Sequence, residues 1–160
     1  MSLAIVYTRA ALGIEAPLIT VEVHLSNGLP GLTMVGLPET TVKEARDRVR
    51  SALINSGYAF PAKKITINLA PADLPKEGGR YDLPIALALL VASEQLNTTR
   101  LNQYEFVGEL ALTGGLRGVP GAIPSAMEAI KAGRRIVVSS DNAAEVGLIG
   151  GSDCLVADHL

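Results

Sequence analysis

The feature that most constrains this chain is a run of ten apolar residues, Leu83 to Ala92, entered through Asp82 and carrying Pro84 near its start. A helix that is apolar on every side has no face to offer water and belongs inside a core. At ten residues it is about half of what a ~30 Å hydrocarbon layer requires, so it is expected as a core helix and not as a membrane span. Asp82 is expected to N-cap it, and Pro84 fits the first turn, where a missing N–H costs nothing. Such a helix must be wrapped by other elements. The 160 residues are enough for this, since one domain of that size buries roughly 70% of its unfolded surface. With 48% hydrophobic and 19% charged residues the chain has ample apolar material to offset the entropy of ordering.

Strands supply the wrapping. Leu3–Thr8 reads as extended, and in Leu18–Leu25 the residues Ile19, Val21, Val23 and Leu25 alternate with Thr20, Glu22 and His24. That period of two marks a half-buried strand, with His24 on its polar, exposed side. A turn at Ser26-Asn27-Gly28 leads to a further strand near Gly31–Gly36, and Lys64–Ala70 alternates again before a loop rich in Pro, Gly and charge, Pro71 to Arg80. In the last third, Glu105–Thr113 is expected as one strand running into the turn Thr113-Gly114-Gly115, with Leu116–Val119 returning. Ser125-x-x-Glu128 has the form of a capping box opening a helix that Gly133 stops. Arg135–Ser139 reads as a strand, Asp141 as the cap of a final helix, and Cys154–Ala157 as one more short strand. Strands and helices interleave without a fixed repeat, so the expected class is α/β or α+β, a single domain over residues 1–160.

The first helix is expected from a Thr41-x-x-Glu44 capping box, with Val42, Ala45, Val49, Ala52 and Leu53 at helical spacing and Gly57 at its C-terminal cap. It carries much of the chain's positive charge. Residues 41–80 hold eight basic and four acidic residues, net +4, although the whole chain has a net charge of −2. Lys43, Arg46 and Arg50, at i, i+3 and i+7, share the face opposite the apolar stripe. Aligned cations there can bind phosphate in a salt-sensitive way; the plainer reading is a solvated face with Glu44 and Asp47 as local partners. A second, weaker anion candidate is Gly78-Gly79-Arg80, just ahead of the buried helix, where free N–H groups attract negative charge but Asp82 competes for them.

Several chemistries have no foothold. There is no Gly-x-x-x-x-Gly-Lys-Ser/Thr phosphate loop, no Gly-x-Ser-x-Gly elbow, and no dinucleotide fingerprint among the glycines at 108, 114, 115, 118 and 121. One cysteine, Cys154, and two histidines, His24 and His159, make neither an internal disulfide nor a metal-ligand pattern, and no catalytic role is expected for the Cys154/His159 pair. The start of the chain lacks the layout of a secretion signal, which points to a cytoplasmic protein.

Two long stretches carry a resemblance: Val35-Gly36-Leu37-Pro38-Glu39 with Val42 to Ala52, and Ile67-Asn68-Leu69-Ala70-Pro71-Ala72-Asp73-Leu74-Pro75-Lys76-Glu77-Gly78 with Tyr81 to Ala86. Together with Val107-Gly108-Glu109-Leu110 and Leu112 they closely resemble the N-terminal domain of the YifB/ComM family, also labelled magnesium chelatase-like. The resemblance implies the fold of the Lon proteolytic domain, related to a domain of a small-subunit ribosomal protein and to the C-terminal domain of RadA. It further implies an AAA+ ATPase module, expected outside these 160 residues, that would bind ATP and Mg and assemble as a hexamer for branch migration in recombination or natural transformation.

Lon-type peptidases place a Ser nucleophile just before the buried helix and a Lys base at the start of the later one. Here the first position falls in Arg80-Tyr81-Asp82-Leu83, with no Ser, Thr or Cys, and Pro124 stands at the second; Ser125 reads as the helix cap and Lys131 lies well into that helix. Without a nucleophile beside a base, acyl transfer has no starting point. The resemblance therefore implies a non-catalytic accessory domain with no cofactor of its own, whose partners are its ATPase module, further copies of itself and possible DNA. The alternatives are a divergent peptidase using Ser125 or Tyr81, and a protein-interaction module without DNA contact. Magnesium insertion into a porphyrin has no support in these residues.

Overall fold

The computed structural model describes residues 2–148 and 154–160. Among these the order is β1 (Leu3–Arg9), β2 (Leu18–Ser26), β3 (Gly31–Val35), α1 (Glu39–Asn55), β4 (Lys64–Ala70), α2 (Asp82–Ala92), β5 (Tyr104–Phe106), β6 (Glu109–Leu110), β7 (Leu116–Arg117), α3 (Ala122–Lys131), β8 (Arg135–Ser139), α4 (Ala143–Val146) and β9 (Cys154–Ala157). Seven strands form one mixed sheet in the order β3-β4-β2-β1-β5-β8-β9, while β6 and β7 pair separately. The pairings β4–β2 and β2–β1 are antiparallel and the other four are parallel. The fold is thus mixed α/β with a mostly parallel sheet.

Strand alternation sorts side chains into two cores. Val6, Val21, Val23 and Ile67 point to the face on which α2 lies, with α1 packed on α2. The opposite parity runs from Tyr7 through its register partner Glu105 to Ile136, and Ile136 packs on Ala122, Ala126 and Ala129 of α3. The helices therefore cover different faces: α1 and α2 one side, α3 the other. As its composition leads one to expect, α2 is buried over most of its surface, with Leu83, Ile85, Leu89 and Leu90 at most 4% exposed and only Leu87 and Val91 half-buried. Each such side chain contributes about 1.5–3 kcal/mol relative to being left in water.

Four expected caps are not caps. α1 starts at Glu39, with Pro38 before its first turn, so Thr41 and Glu44 lie inside the helix and form no capping box. Pro38, with φ −59° and no N–H to satisfy, already suits a helix entrance, and Val42 N–H donates to its carbonyl. Asp82 is the first residue of α2 and makes no cap bond, because an arginine claims its carboxylate. Ser125 sits one turn inside α3, which begins after Gly121 at φ +75°, a backbone position that favours glycine. Asp141 also caps no helix: Ser139 Oγ accepts from the Asp141 N–H, and the Asp141 carboxylate accepts from Gly118 N–H. The C-terminal stops do form at Gly57 and Gly133, both at positive φ, with Tyr58 N–H donating to Leu53 and Arg134 N–H to Ala129.

The single strand expected over Glu105–Thr113 is broken in two. After Val107 N–H donates to Val137 on β8, Gly108 leaves the sheet and bonds the entrance of α2 twice, its N–H donating to Arg80 O and its carbonyl accepting from Leu83 N–H, both at 3.1 Å. The chain then pairs as β6 with β7.

Gly36 follows β3 at φ +99°, and a Cβ there would stand 2.4 Å from the Leu69 carbonyl oxygen. Gly36→Ala therefore meets both backbone strain and a clash with backbone. It is expected to lower stability by at least about 2 kcal/mol, read as a fall in Tm of roughly 4–8 °C at this chain length.

Candidate functional site

The positions that the resemblance assigns to peptidase chemistry come together where α2 and α3 begin. Arg80 links them. Its Nε donates to Arg9 O at 2.9 Å, Nη1 to Pro120 O at 2.7 Å, and Nη2 to Ser125 Oγ at 2.9 Å. All three nitrogens are thus engaged in a side chain only 4% exposed. Burial lowers its basicity somewhat, opposed by the neighbouring Tyr81. The Tyr81 ring is buried, its phenol is pushed up to about 12 mainly by that burial, and its hydroxyl has no hydrogen-bond partner. Pro124 lies in the first turn of α3 and lines an open cleft facing Ile14 and Met127, and Lys131 lies exposed at the far end of the helix.

Asp82 is fully buried and points at α1. Arg48 Nε donates to one carboxylate oxygen at 2.6 Å and Nη2 to the other at 3.2 Å, while Leu110 N–H donates at 3.1 Å. The pair holds Arg48 above its ordinary value, chiefly through the hydrogen bond to Asp82. For Asp82, loss of solvent outweighs the arginine and pushes it up to about 6. The Gly78-Gly79-Arg80 loop edges a cleft of about 440 Å³, and Glu109 packs so closely on Gly79 that a Cβ there would meet its carboxylate oxygen at 2.6 Å. This cleft therefore already holds negative charge.

The basic face of α1 is at the surface. Lys43 and Arg50 are exposed and Arg46 is half-buried. Arg46 lies 3.6 Å from Asp47, Glu44 is 3.8 Å from Arg48, and the Arg50 guanidinium sits 5.7 Å from the Phe60 ring centre. Because β3 and β4 are parallel neighbours joined through α1, the helix overhangs the entry to β4. This places Lys63 and Phe60 beside Arg46 and Arg50 along a groove of about 510 Å³. Residue spacing along one helix did not reveal those two; strand pairing between distant segments brings them in.

No helix among the described residues is long and apolar enough to cross a membrane, and no group of three His, Cys, Asp or Glu among them is placed to hold a metal ion. A family model described as subunit ChlI of Mg-chelatase matches residues 21–142. The chain is 79% identical over all 160 residues to the uncharacterized protein YifB of Escherichia coli, covering 32% of that protein. It is 61% identical over the same 160 residues to the competence protein ComM of Haemophilus influenzae, covering 31% of it. An uncharacterized protein of Mycobacterium tuberculosis is 38% identical over 154 residues, 96% of this chain and 31% of that protein. The chain belongs to the magnesium chelatase-like ChlI family, the family of YifB and ComM. It spans about a third of the length of these curated relatives.

Asp82 also makes stability depend on pH. Its folded-state value near 6 exceeds the ordinary 3.8, so between those values the folded chain binds the proton more tightly than the unfolded one. Its contribution therefore grows as pH falls from 7 toward 4, by up to roughly 3 kcal/mol, and is lost as pH rises through 6. Thermal melts from pH 7 to 4 are expected to show wild type gaining on Asp82→Asn as the pH falls.

Proposed function

We propose that this chain is a non-catalytic accessory domain of a YifB/ComM-like AAA+ ATPase that processes DNA, in branch migration during recombination or natural transformation. On this reading it has the fold of the Lon proteolytic domain with the peptidase lost. It aids ring assembly or the engagement of DNA or a partner, while ATP and Mg are bound by a module outside these residues in a homohexamer of the cytoplasm. The single observation that carries the reading is the state of the helix entrances. Asp82 is occupied by Arg48, and Ser125 Oγ accepts from a guanidinium, which holds its protons at any ordinary pH and cannot serve as a base. The Tyr81 phenol, about 12, stays protonated. The competence protein at 61% identity supports a role in competence, and the surface cations Lys43, Arg46 and Arg50 are the candidate DNA contact. No cofactor is assigned to the chain itself.

A serine-directed fluorophosphonate is expected to leave the chain unlabelled; an adduct on Ser125 would overturn the loss of peptidase chemistry. In fluorescence anisotropy, replacing Lys43, Arg46 and Arg50 by Gln is expected to weaken DNA binding about tenfold at low salt and to flatten the salt dependence. Unchanged affinity with an intact fold would remove DNA contact from this face and leave assembly or partner docking as its role.

A further inference from the structure

We infer that the groove between α1 and the entry to β4 takes a short stretch of single-stranded nucleic acid, with phosphates on Arg46, Arg50 and Lys63 and a base against Phe60. This deepens the reading of α1 as the DNA contact and rests on it.

The argument begins with the make-up of the groove. Its rim is cationic: Arg46 and Arg50 from α1, Lys63 from the segment leading into β4. Between these cations lie apolar side chains, Ile54, Phe60 and Pro61 among them, and Ile54 is 50% exposed on a helix whose other outward residues are polar. A duplex presents mainly phosphates to a basic surface and gives an apolar floor nothing to cover. A single strand presents phosphates and unstacked bases together, which is the pairing of chemistries that this groove offers. Arg50 adds a second feature, since its guanidinium is drawn over the Phe60 ring while the residue stays exposed. Such a guanidinium can meet either a phosphate or the face of a base.

The groove also holds one opposing charge. Asp47 lies on the rim, 3.6 Å from Arg46. A polyanion there must approach it, so the inference makes a prediction of opposite sign: removing that carboxylate strengthens binding.

The test is anisotropy of the 160-residue chain with a fluorescent 20-nucleotide oligothymidine and with a 20-base-pair duplex, across a salt series. The oligothymidine is expected to bind more tightly than the duplex, with a slope of log K against log salt near about −2 for three phosphates. Lys63→Gln should bring the slope to about −1.4, and Phe60→Leu, which keeps apolar bulk while removing the ring, should weaken oligothymidine at least about fivefold. Asp47→Asn should tighten it about two- to fivefold. Circular dichroism and Tm show that each variant is folded. Duplex binding as tight as oligothymidine, with Phe60→Leu and Lys63→Gln silent, overturns the single-strand groove while leaving α1 as a DNA contact. No loss of affinity on neutralising Lys43, Arg46 and Arg50 overturns both.

Discussion

The structure depends on a buried carboxylate, Glu105, held between two arginines. Arg9 Nε and Nη2 donate to its two oxygens at 2.6 and 2.9 Å, and Arg134 Nη1 donates to one of them at 3.1 Å. Glu105 is 0% exposed, so either arginine alone would leave it with part of its bonding capacity unmet in a place where desolvation is costly. Its position explains the expense. The mixed side of the sheet, β3-β4-β2-β1, meets the all-parallel side at β1 and β5, and that junction has one register pair, Tyr7 with Glu105. Backbone pairing there is minimal. The carboxylate clamps the end of β1 through Arg9 and the start of β8 through Arg134, whose guanidinium also stacks 4.1 Å from the Tyr7 ring centre.

From the same arginine the network reaches both helices. The Arg9 carbonyl accepts from Arg80, and Arg80 grips Pro120 and Ser125 at the start of α3 while standing two residues before α2. A continuous polar path thus joins β8, β5, β1, α2 and α3. Its members lie at 9, 80, 105, 125 and 134, with no spacing that local sequence pattern can read. Each looks like an ordinary surface charge or helix cap until the sheet order is known.

This separates what was legible in the sequence from what was not. Lys64–Ala70 shows its bounds through alternation, Arg135–Ser139 and Cys154–Ala157 are short apolar runs that form strands over those same residues, and α2 shows its burial through composition. The helix caps misled because Ser, Thr and Asp before a helical stretch carry the same local signal whether the side chain turns back to its own backbone or reaches a distant partner. Tertiary pairing decided Asp82, where Arg48 offers two bonds from one charged guanidinium against the bond of a neutral backbone N–H in a cap. It decided Ser125 as well, where Arg80 donates to the hydroxyl. The strand over Glu105–Thr113 was misread for a related reason: Gly108 found its hydrogen bonds at the entrance of α2, and periodicity carries no information about that.

The same buried pair determines which side of α1 faces water. With about 100° of rotation per residue, fixing Arg48 toward Asp82 turns Arg46 and Arg50 each about 160° away from it and Lys43 about 140°. Arg46 and Arg50 then stand within about 40° of one another on the outer side, where the loop into β4 brings Lys63 and Phe60 alongside. Because Arg48 is held by a carboxylate buried at the start of α2, the face that their spacing gives Lys43, Arg46 and Arg50 is turned outward. Asp82, from the segment in which the resemblance puts the nucleophile, thereby orients the helix that carries the candidate nucleic-acid contact.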